Sequence, residues 1–476
     1  AFDVDDGTEL FSFIPQELLP NLRVAMENQG GEKLYGLDGN VVAWINDADN
    51  DGIIEADQGE HVYLYVGMRR GGKNIYAFNV TERTKPSLLW VIKGGTGDYT
   101  ELGQTWSTIN VEKIKDGADE KTVLMFGGGY DKGQDAAAVT SEDSIGRTVY
   151  IADAVTGKRL WSASNDAVTS TVKMNYSVPA RVKPLDISGD GYIDRIYAAD
   201  MGGQIFRFDI DNHNGKALGA SITGGLVADL ADASTAVLSR TEANARRFYY
   251  PPDVALIDAP DGKYHGLVIS SGYRAHPLND KIQDRIYMLK DRNTGLITSS
   301  ADYKYNPSAI TAAPLTEANL HNATANIAGG DAADDTTRAA ELTDLAKAEG
   351  WYIYLDDETS PGSWIGEKGL AEALIVEGVA IVTTYTPNLL TPSNSCEPNV
   401  GLGKVFFLDM LDATPAFASS LDVRSERHIE LERGGIPPSP NVIITKDGVP
   451  TLCVGTECQK AELGLGVRKT YWYEVN

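Results

Sequence analysis

An all-β fold, arranged as a propeller of repeated sheets, is predicted by three observations. First, one unit recurs: an apolar strand, an acidic residue, a tight turn carrying Thr-Gly or Gly-Gly, and a second strand that often ends in tryptophan. Second, the strand-like segments are rich in β-branched and aromatic residues, and no helical pattern alternates with them, which disfavours a parallel α/β sheet. Third, 42% of the 476 residues are hydrophobic, ample for a large core. Propellers of repeated four-stranded sheets commonly exceed the usual length of one domain.

The unit is clearest at Val149-Tyr-Ile-Ala-Asp153-Ala-Val-Thr156-Gly157-Lys-Arg-Leu-Trp161. It returns at Ile75-Tyr-Ala-Phe-Asn79 with Leu89-Trp90, at Ile205-Phe-Arg-Phe-Asp209, at Ile286-Tyr-Met-Leu-Lys-Asp291 with Thr294-Gly295, and at Val405-Phe-Phe-Leu-Asp409. The chain opens on Ala1-Phe2-Asp3 and Gly7-Thr8-Glu9-Leu10-Phe11, which reads as the middle of such a unit. A longer protein with its targeting sequence upstream is therefore expected. Spacing between copies is irregular, so a single propeller over 1–476 must carry insertions, placed near 211–246 and 299–350. Two helices are expected there. One covers 334–348, opening on capping residues and stopping before Gly350; the other is the Ala- and Leu-rich stretch 226–246. Each precedes a strand-like stretch, 247–257 and 351–355. The Ala-, Asn- and Thr-rich segment 299–330 reads as a loop, the kind of element that carries partner binding on a rigid scaffold.

A net charge of −25 argues against nucleic-acid and anionic-membrane partners. No apolar run approaches the roughly 18 residues of a membrane-spanning helix. Of the three cysteines, Cys453 and Cys458 lie five apart beside likely strand ends. A disulfide is favoured there, with a zinc site lacking histidine partners and three buried thiols as the alternatives. Cys396 is left free or paired with a residue outside the chain.

The most informative stretch is Asp186-Ile-Ser188-Gly-Asp190-Gly191-Tyr192-Ile-Asp194. Side-chain oxygens at positions 1, 3, 5 and 9 (Asp186, Ser188, Asp190, Asp194) and the Tyr192 carbonyl at position 7 match a loop that turns oxygens onto Ca²⁺. Gly191 at position 6 permits the sharp turn. Position 12 is Tyr197, so the bidentate glutamate of an EF-hand is absent. The residues that follow, Arg195 to Asp200 and Gln204 to Asp209 around a Gly-Gly turn, read as two strands. The expected site is a calcium loop on a β-sheet. A second loop, Asp47-Ala-Asp49-Asn-Asp51-Gly52-Ile53-Ile-Glu55, repeats the spacing with Asp47, Asp49, Asp51, the Ile53 carbonyl and Glu55, against the alternative of a solvated acidic turn.

Other motifs carry less chemistry. Gly67-Met-Arg69-Arg70-Gly71-Gly72-Lys73-Asn74 imitates a phosphate-binding loop, but Asn74 replaces the Mg²⁺-binding hydroxyl and a strand follows instead of a helix. It reads as a turn whose two arginines anchor carboxylates. The six histidines are scattered without a catalytic spacing. His276, before Pro277, is the best catalytic suspect, and the 211–215 segment around His213 is too weak for a third ion site. No enzyme is expected. The alternatives are a quinoprotein-like dehydrogenase, which has similar tryptophan-ending blades, and a lectin-like carbohydrate binder.

Together the Asp186–Asp194 stretch, Arg195-Ile-Tyr-Ala-Ala-Asp200-Met-Gly-Gly203 and Phe206-Arg-Phe-Asp209 resemble the signature of the PilC/PilY family, the type IV pilus tip-associated adhesins and biogenesis factors. Supporting motifs are Val62-Tyr-Leu-Tyr-Val-Gly67, Gly103-Gln-Thr-Trp106-Ser107, Phe126-Gly-Gly-Gly-Tyr130-Asp131, Ser270-Ser-Gly-Tyr-Arg-Ala-His276-Pro277 and Gly434-Gly-Ile-Pro437. The resemblance implies a modified seven-bladed β-propeller forming the C-terminal domain of a larger protein. It implies Ca²⁺ at Asp186, Ser188, Asp190, the Tyr192 carbonyl and Asp194, regulating pilus extension and retraction, twitching motility and attachment. The implied partners are pilins, other pilus components and a host or abiotic surface; the implied location is the bacterial surface or pilus tip, outer-membrane associated or periplasmic in transit. Ser188 departs from the asparagine frequent at its position, and no Arg-Gly-Asp triplet is present.

Overall fold

The structure is a computed structural model that describes residues 1–27, 33–136, 141–163, 174–231, 241–295, 314–387, 400–416, 427–444 and 450–460. Two compact units make up the chain: Ala1–Leu226 with Gly295–Ala312, and Val227–Thr294 with Ala313–Asn476. Among the described residues the strands form six sheets.

The first unit holds three four-stranded antiparallel sheets, each with consecutive strands as neighbours. They are β1 (Val41–Asn46), β2 (His61–Gly67), β3 (Ile75–Asn79) and β4 (Ser87–Ile92); β5 (Asn110–Asp116), β6 (Asp119–Gly127), β7 (Val149–Asp153) and β8 (Arg159–Ser162); β9 (Lys183–Leu185), β10 (Arg195–Ala199), β11 (Gln204–Ile210) and β12 (Ile222–Asp229), the last running across the boundary between the units. The recurring sequence unit is thus the hairpin β3–β4 or β7–β8, and its copy at 205–209 lies in β11, the strand that pairs with β12. In β10 and β11 both faces are buried, which is why these strands read as apolar runs without alternation. Side chains from adjoining sheets fill the spaces between them. Tyr65, Ala77, Phe126 and Tyr150 lie between the first two sheets, and Met125, Ile151, Trp161, Ile196, Phe206 and Phe208 between the second and third. Trp161 meets Phe208 edge to face at 5.3 Å between ring centres, a geometry that suits the aromatic quadrupole.

The second unit begins with β13 (Asp253–Ala259), β14 (Gly262–Ser270), β15 (Arg285–Asp291), β16 (His321–Asn322) and β17 (Gly350–Tyr354), in the order β13-β14-β15-β17-β16, with β16 parallel to β17. It continues with β18 (Lys368–Gly369), β19 (Leu374–Val376), β20 (Val379–Thr386), β21 (Leu402–Asp409) and β22 (His428–Glu430), and ends with β23 (Pro440–Ile444), β24 (Pro450–Val454) and β25 (Glu457–Lys460). Cys453 and Cys458 face each other across β24 and β25 and form a disulfide, the pairing favoured from their spacing. Cys396 lies outside the described residues.

Helices are few. The first, α1 (Leu19–Glu27), was not anticipated; its signals are Pro20 in the first turn and the Arg23–Glu27 pair, 2.9 Å apart. The second, α2 (Asp335–Lys347), is capped by Asp334 accepting from the Thr337 amide, as the sequence predicts. The helix expected over 226–246 is corrected at both ends. Leu226 to Asp229 finish strand β12, and 241–244 is a turn, while 232–240 falls outside the described residues. Helix-favouring Leu and Ala yield there because β12 pairs with β11, and Gly224 lies so close to Phe208 that a Cβ would stand 2.2 Å from the ring. The strand expected from 247 begins only at Asp253.

Buried polar groups tie the loops of the first unit together. Asp143 is 6% exposed and accepts from the Gln134 side chain (2.8 Å) and the Ser177 amide (2.7 Å). Burial pushes its pKa up from 3.8 to about 6 despite those bonds. Between these values the folded protein holds a proton that the unfolded chain releases, so stability falls as pH rises through that window. The expected loss from pH 3.8 to 6 is on the order of 3 kcal/mol from this group. Comparing urea midpoints at pH 4.5 and 6.5 for the wild type and Asp143→Asn should show the slope flattening in the variant. An identical pH dependence in both would refute the assignment.

Candidate metal centre

The 186–194 loop connects β9 to β10, and its acidic side chains shape it by folding back onto its own amides. Asp186 accepts from Gly189 N (2.7 Å) with one oxygen and from Gly191 N (2.8 Å) with the other. Asp190 accepts from Tyr192 N at 3.0 Å. Asp194, 1% exposed, closes the loop by accepting from the amides of Ile187 and Ser188, both at 2.9 Å. These are the local turns that aspartate favours. Gly191 takes φ +88°, a conformation that a Cβ would strain. Oxygens of Asp186, Asp190 and Asp194 consequently lie within 4.8 Å of one another. The Ser188 hydroxyl is turned onto Asp186 at 3.4 Å.

Three carboxylates this close repel one another, and burial pushes the pKa of Asp194 up. A divalent cation would relieve both penalties. The donors are all oxygen, which suits a hard ion such as Ca²⁺ and not a soft one.

The partners of the loop come from distant parts of the chain. Asn212, just beyond β11, donates to the Ile193 carbonyl (2.9 Å) and to Asp194 (3.2 Å), and accepts from the Lys115 amide (3.0 Å). His213 Nε2 stands 3.1 Å from Asp190. The segment dismissed as a third ion site therefore supports the first. From the β5–β6 hairpin, Glu120 accepts from the Tyr192 hydroxyl, whose pKa that bond pushes up to about 12, and the Lys115 ammonium lies over the same ring at 4.6 Å. Behind the loop, Arg195 and Arg207 both face Asp209, at 2.5 and 3.1 Å, with all three side chains nearly inaccessible.

The 47–55 loop, between β1 and β2, repeats the turn chemistry. Asp47 accepts from Gly52 N (2.9 Å) and Asp51 from Ile53 N (2.7 Å), matching Asp186 with Gly191 and Asp190 with Tyr192. The closing carboxylate differs. Glu60, beyond the expected loop and only 4% exposed, accepts from Ala48 N and Glu55 N, both at 2.8 Å. The carboxylates consequently gather as two overlapping groups, Asp47 with Asp49 and Glu60, and Asp49 with Asp51 and Glu55. Asp47 Oδ1 is buried with no hydrogen-bond partner.

The residues weighed for catalysis do not converge. His276 neighbours Tyr273, ring centres 4.8 Å apart. His321 pairs with Glu341 and His428 with Glu358, and His61 stacks on Tyr63 at 4.0 Å.

The fold and this loop define a class: a mostly β domain of repeated antiparallel sheets, with an acidic nine-residue loop set between two strands of one sheet. Residues 9–223 match the family described as the PilY1 beta-propeller domain. A type IV pilus biogenesis factor PilY1 homolog of Xylella fastidiosa is 23% identical over 402 residues, covering 82% of this chain and 24% of that protein. The type IV pilus biogenesis factor PilY1 of Pseudomonas aeruginosa PAO1 is 30% identical over 212 residues, covering 44% of this chain and 16% of that protein. The crystal structure of the P. aeruginosa PilY1 C-terminal domain superposes with a TM-score of 0.62 at 20% identity, covering 96% of this chain and 89% of that one. The structural match shows the fold. These matches support a PilY1-family C-terminal domain, and the chain spans about a quarter or less of the curated relatives it matches.

Proposed function

We propose that this domain binds Ca²⁺ at Asp186, Ser188, Asp190, the Tyr192 carbonyl and Asp194. Through that ion it regulates a type IV pilus: its extension and retraction, and so twitching motility and surface attachment. The relatives are called type IV pilus biogenesis factors, which supports pilins and other pilus components as partners and the cell envelope or surface as the location. A single seven-bladed propeller without enzymatic activity completes the reading. The observation that carries it is the gathering of three carboxylates within 4.8 Å in a loop wrapped by its own amides. Bound Ca²⁺ would neutralise that cluster. The chain's own residues convey the loop's state: Asn212 links Asp194 to the Lys115 amide, and Tyr192 links the loop to Glu120.

The 47–55 loop is proposed as a second, independent Ca²⁺ site held by Asp47, Asp49, Asp51, the Ile53 carbonyl and Glu55, with Glu60 added. The unpartnered Asp47 Oδ1 supports it. Calorimetric titration should find two Ca²⁺ equivalents in the wild type, one in Asp190→Ala and none in Asp190→Ala/Asp49→Ala, with unchanged far-UV circular dichroism. Undiminished stoichiometry in Asp190→Ala would reject the first site. Loss of only one equivalent in total would return the 47–55 loop to a solvated acidic turn.

A further inference from the structure

The turn after β2 brings two adjacent guanidiniums to one aromatic ring. Arg69 lies over the Trp106 ring at 4.7 Å and Arg70 at 5.1 Å, while Arg70 also lies 5.3 Å from the centre of Tyr130. Both arginines were expected to anchor carboxylates; only one does. Arg70 grips both oxygens of Asp135, which also accepts from the Tyr130 hydroxyl at 2.7 Å. Among the described residues Arg69 has no anionic partner. The neighbouring Asp131 is engaged elsewhere, by the amides of Gly133 and Ser144 and the Ser144 hydroxyl. Lys132 adds a third cation beside Asp135. In a chain of net charge −25, this is a local excess of positive charge.

The surroundings are rigid. The Arg69 amide bonds to the Thr105 carbonyl (3.3 Å), the Thr105 amide to the Gly72 carbonyl (3.2 Å), and the Thr105 hydroxyl accepts from the Met68 amide (2.7 Å). The Trp106 indole N–H donates to Gln104 (3.3 Å), whose amide reaches the Arg70 carbonyl (3.4 Å). Arg69 itself sits at φ +46°, a left-handed backbone that a non-glycine residue adopts only under constraint. Its guanidinium thus lies over a held ring and, among the described residues, its N–H fork has no anionic partner, which makes it a preorganised receptor for a planar anion.

We propose that Arg69 and Trp106 form a binding site for a carboxylate presented by an acidic peptide segment of a protein partner. The Arg70–Asp135 pair on the same ring shows the geometry that such a carboxylate would repeat on Arg69, with two N–H groups to two oxygens. The site is independent of the calcium loops. The strong negative charge of the whole domain repels acidic peptides in general, so one that binds must be held by a local feature.

The test is fluorescence anisotropy at low ionic strength with labelled tetraglutamate and tetraglutamine peptides, both C-terminally amidated. Tetraglutamate should bind saturably and tetraglutamine should not. Arg69→Ala should weaken binding by about tenfold or more, the loss expected for a charge-assisted pair. Arg69→Lys, keeping the charge without the fork, should fall between. Arg69→Gly removes the guanidinium while relaxing the left-handed backbone, so it should lose binding at an undiminished melting temperature. Absent tetraglutamate binding, or binding unchanged in Arg69→Gly, would overturn the proposal. Displacement by inorganic phosphate at equimolar concentration would overturn the carboxylate assignment.

Discussion

Asp194→Ala is expected to destabilise the first unit by about 3 kcal/mol or more and to abolish its Ca²⁺-dependent stabilisation, because three donors lose their acceptor together. Asp194 is 1% exposed and satisfies the Ile187 and Ser188 amides and the Asn212 side chain. Asp190 is exposed and receives one backbone amide, with His213 beside its other oxygen. The two aspartates are therefore expected to separate: loss of Asp190 removes the ion while sparing the fold, and loss of Asp194 damages both. Asp194→Asn keeps an acceptor for the two amides and should fall between them. Urea unfolding followed by tryptophan fluorescence, with Ca²⁺ and with chelator, reads both effects. An Asp194→Ala midpoint equal to wild type under chelation would show that the buried bonds carry no stability.

Asp209→Ala should destabilise the first unit by about 3 kcal/mol or more, since it removes the carboxylate that two buried guanidiniums face. Arg195, Arg207 and Asp209 have side-chain exposures of 5%, 1% and 1%. Desolvating these charges is unfavourable, and their mutual geometry offsets part of that cost. Replacing all three together with apolar residues, as in Arg195→Met/Arg207→Met/Asp209→Leu, should then cost less than Asp209→Ala alone. If the triple variant is instead additively worse, the network contributes net stability and the desolvation argument fails. Chemical denaturation of the three proteins decides between these outcomes.

Much of the fold was legible because its signals are local. The hairpins β3–β4, β7–β8 and β10–β11 announce themselves by β-branched and aromatic runs around short turns. Helix α2 announces itself by Asp334 and the following Ala-rich stretch. The 226–229 segment misled because Leu and Ala favour helix in isolation, whereas pairing with β11 decided the matter. The acidic loops were readable for the same reason as α2: their residues' spacing along the chain sets their spacing in space. The supports were not. Asn212 and His213 lie beyond β11, Glu120 belongs to the neighbouring sheet, and Glu60 stands outside the spacing pattern. The single cue for Glu60 was an acidic residue immediately before an apolar strand.

By itself, then, the sequence determined the β class, the two acidic loops, the cysteine pair and the family resemblance, all of which depend on residues close together in the chain. Only the tertiary structure decided which carboxylate closes each loop, which buried charges surround the 186–194 site, and which of Arg69 and Arg70 is already paired. Those outcomes depend on strand register and sheet packing, which bring together residues up to tens of positions apart and leave no spacing signature behind.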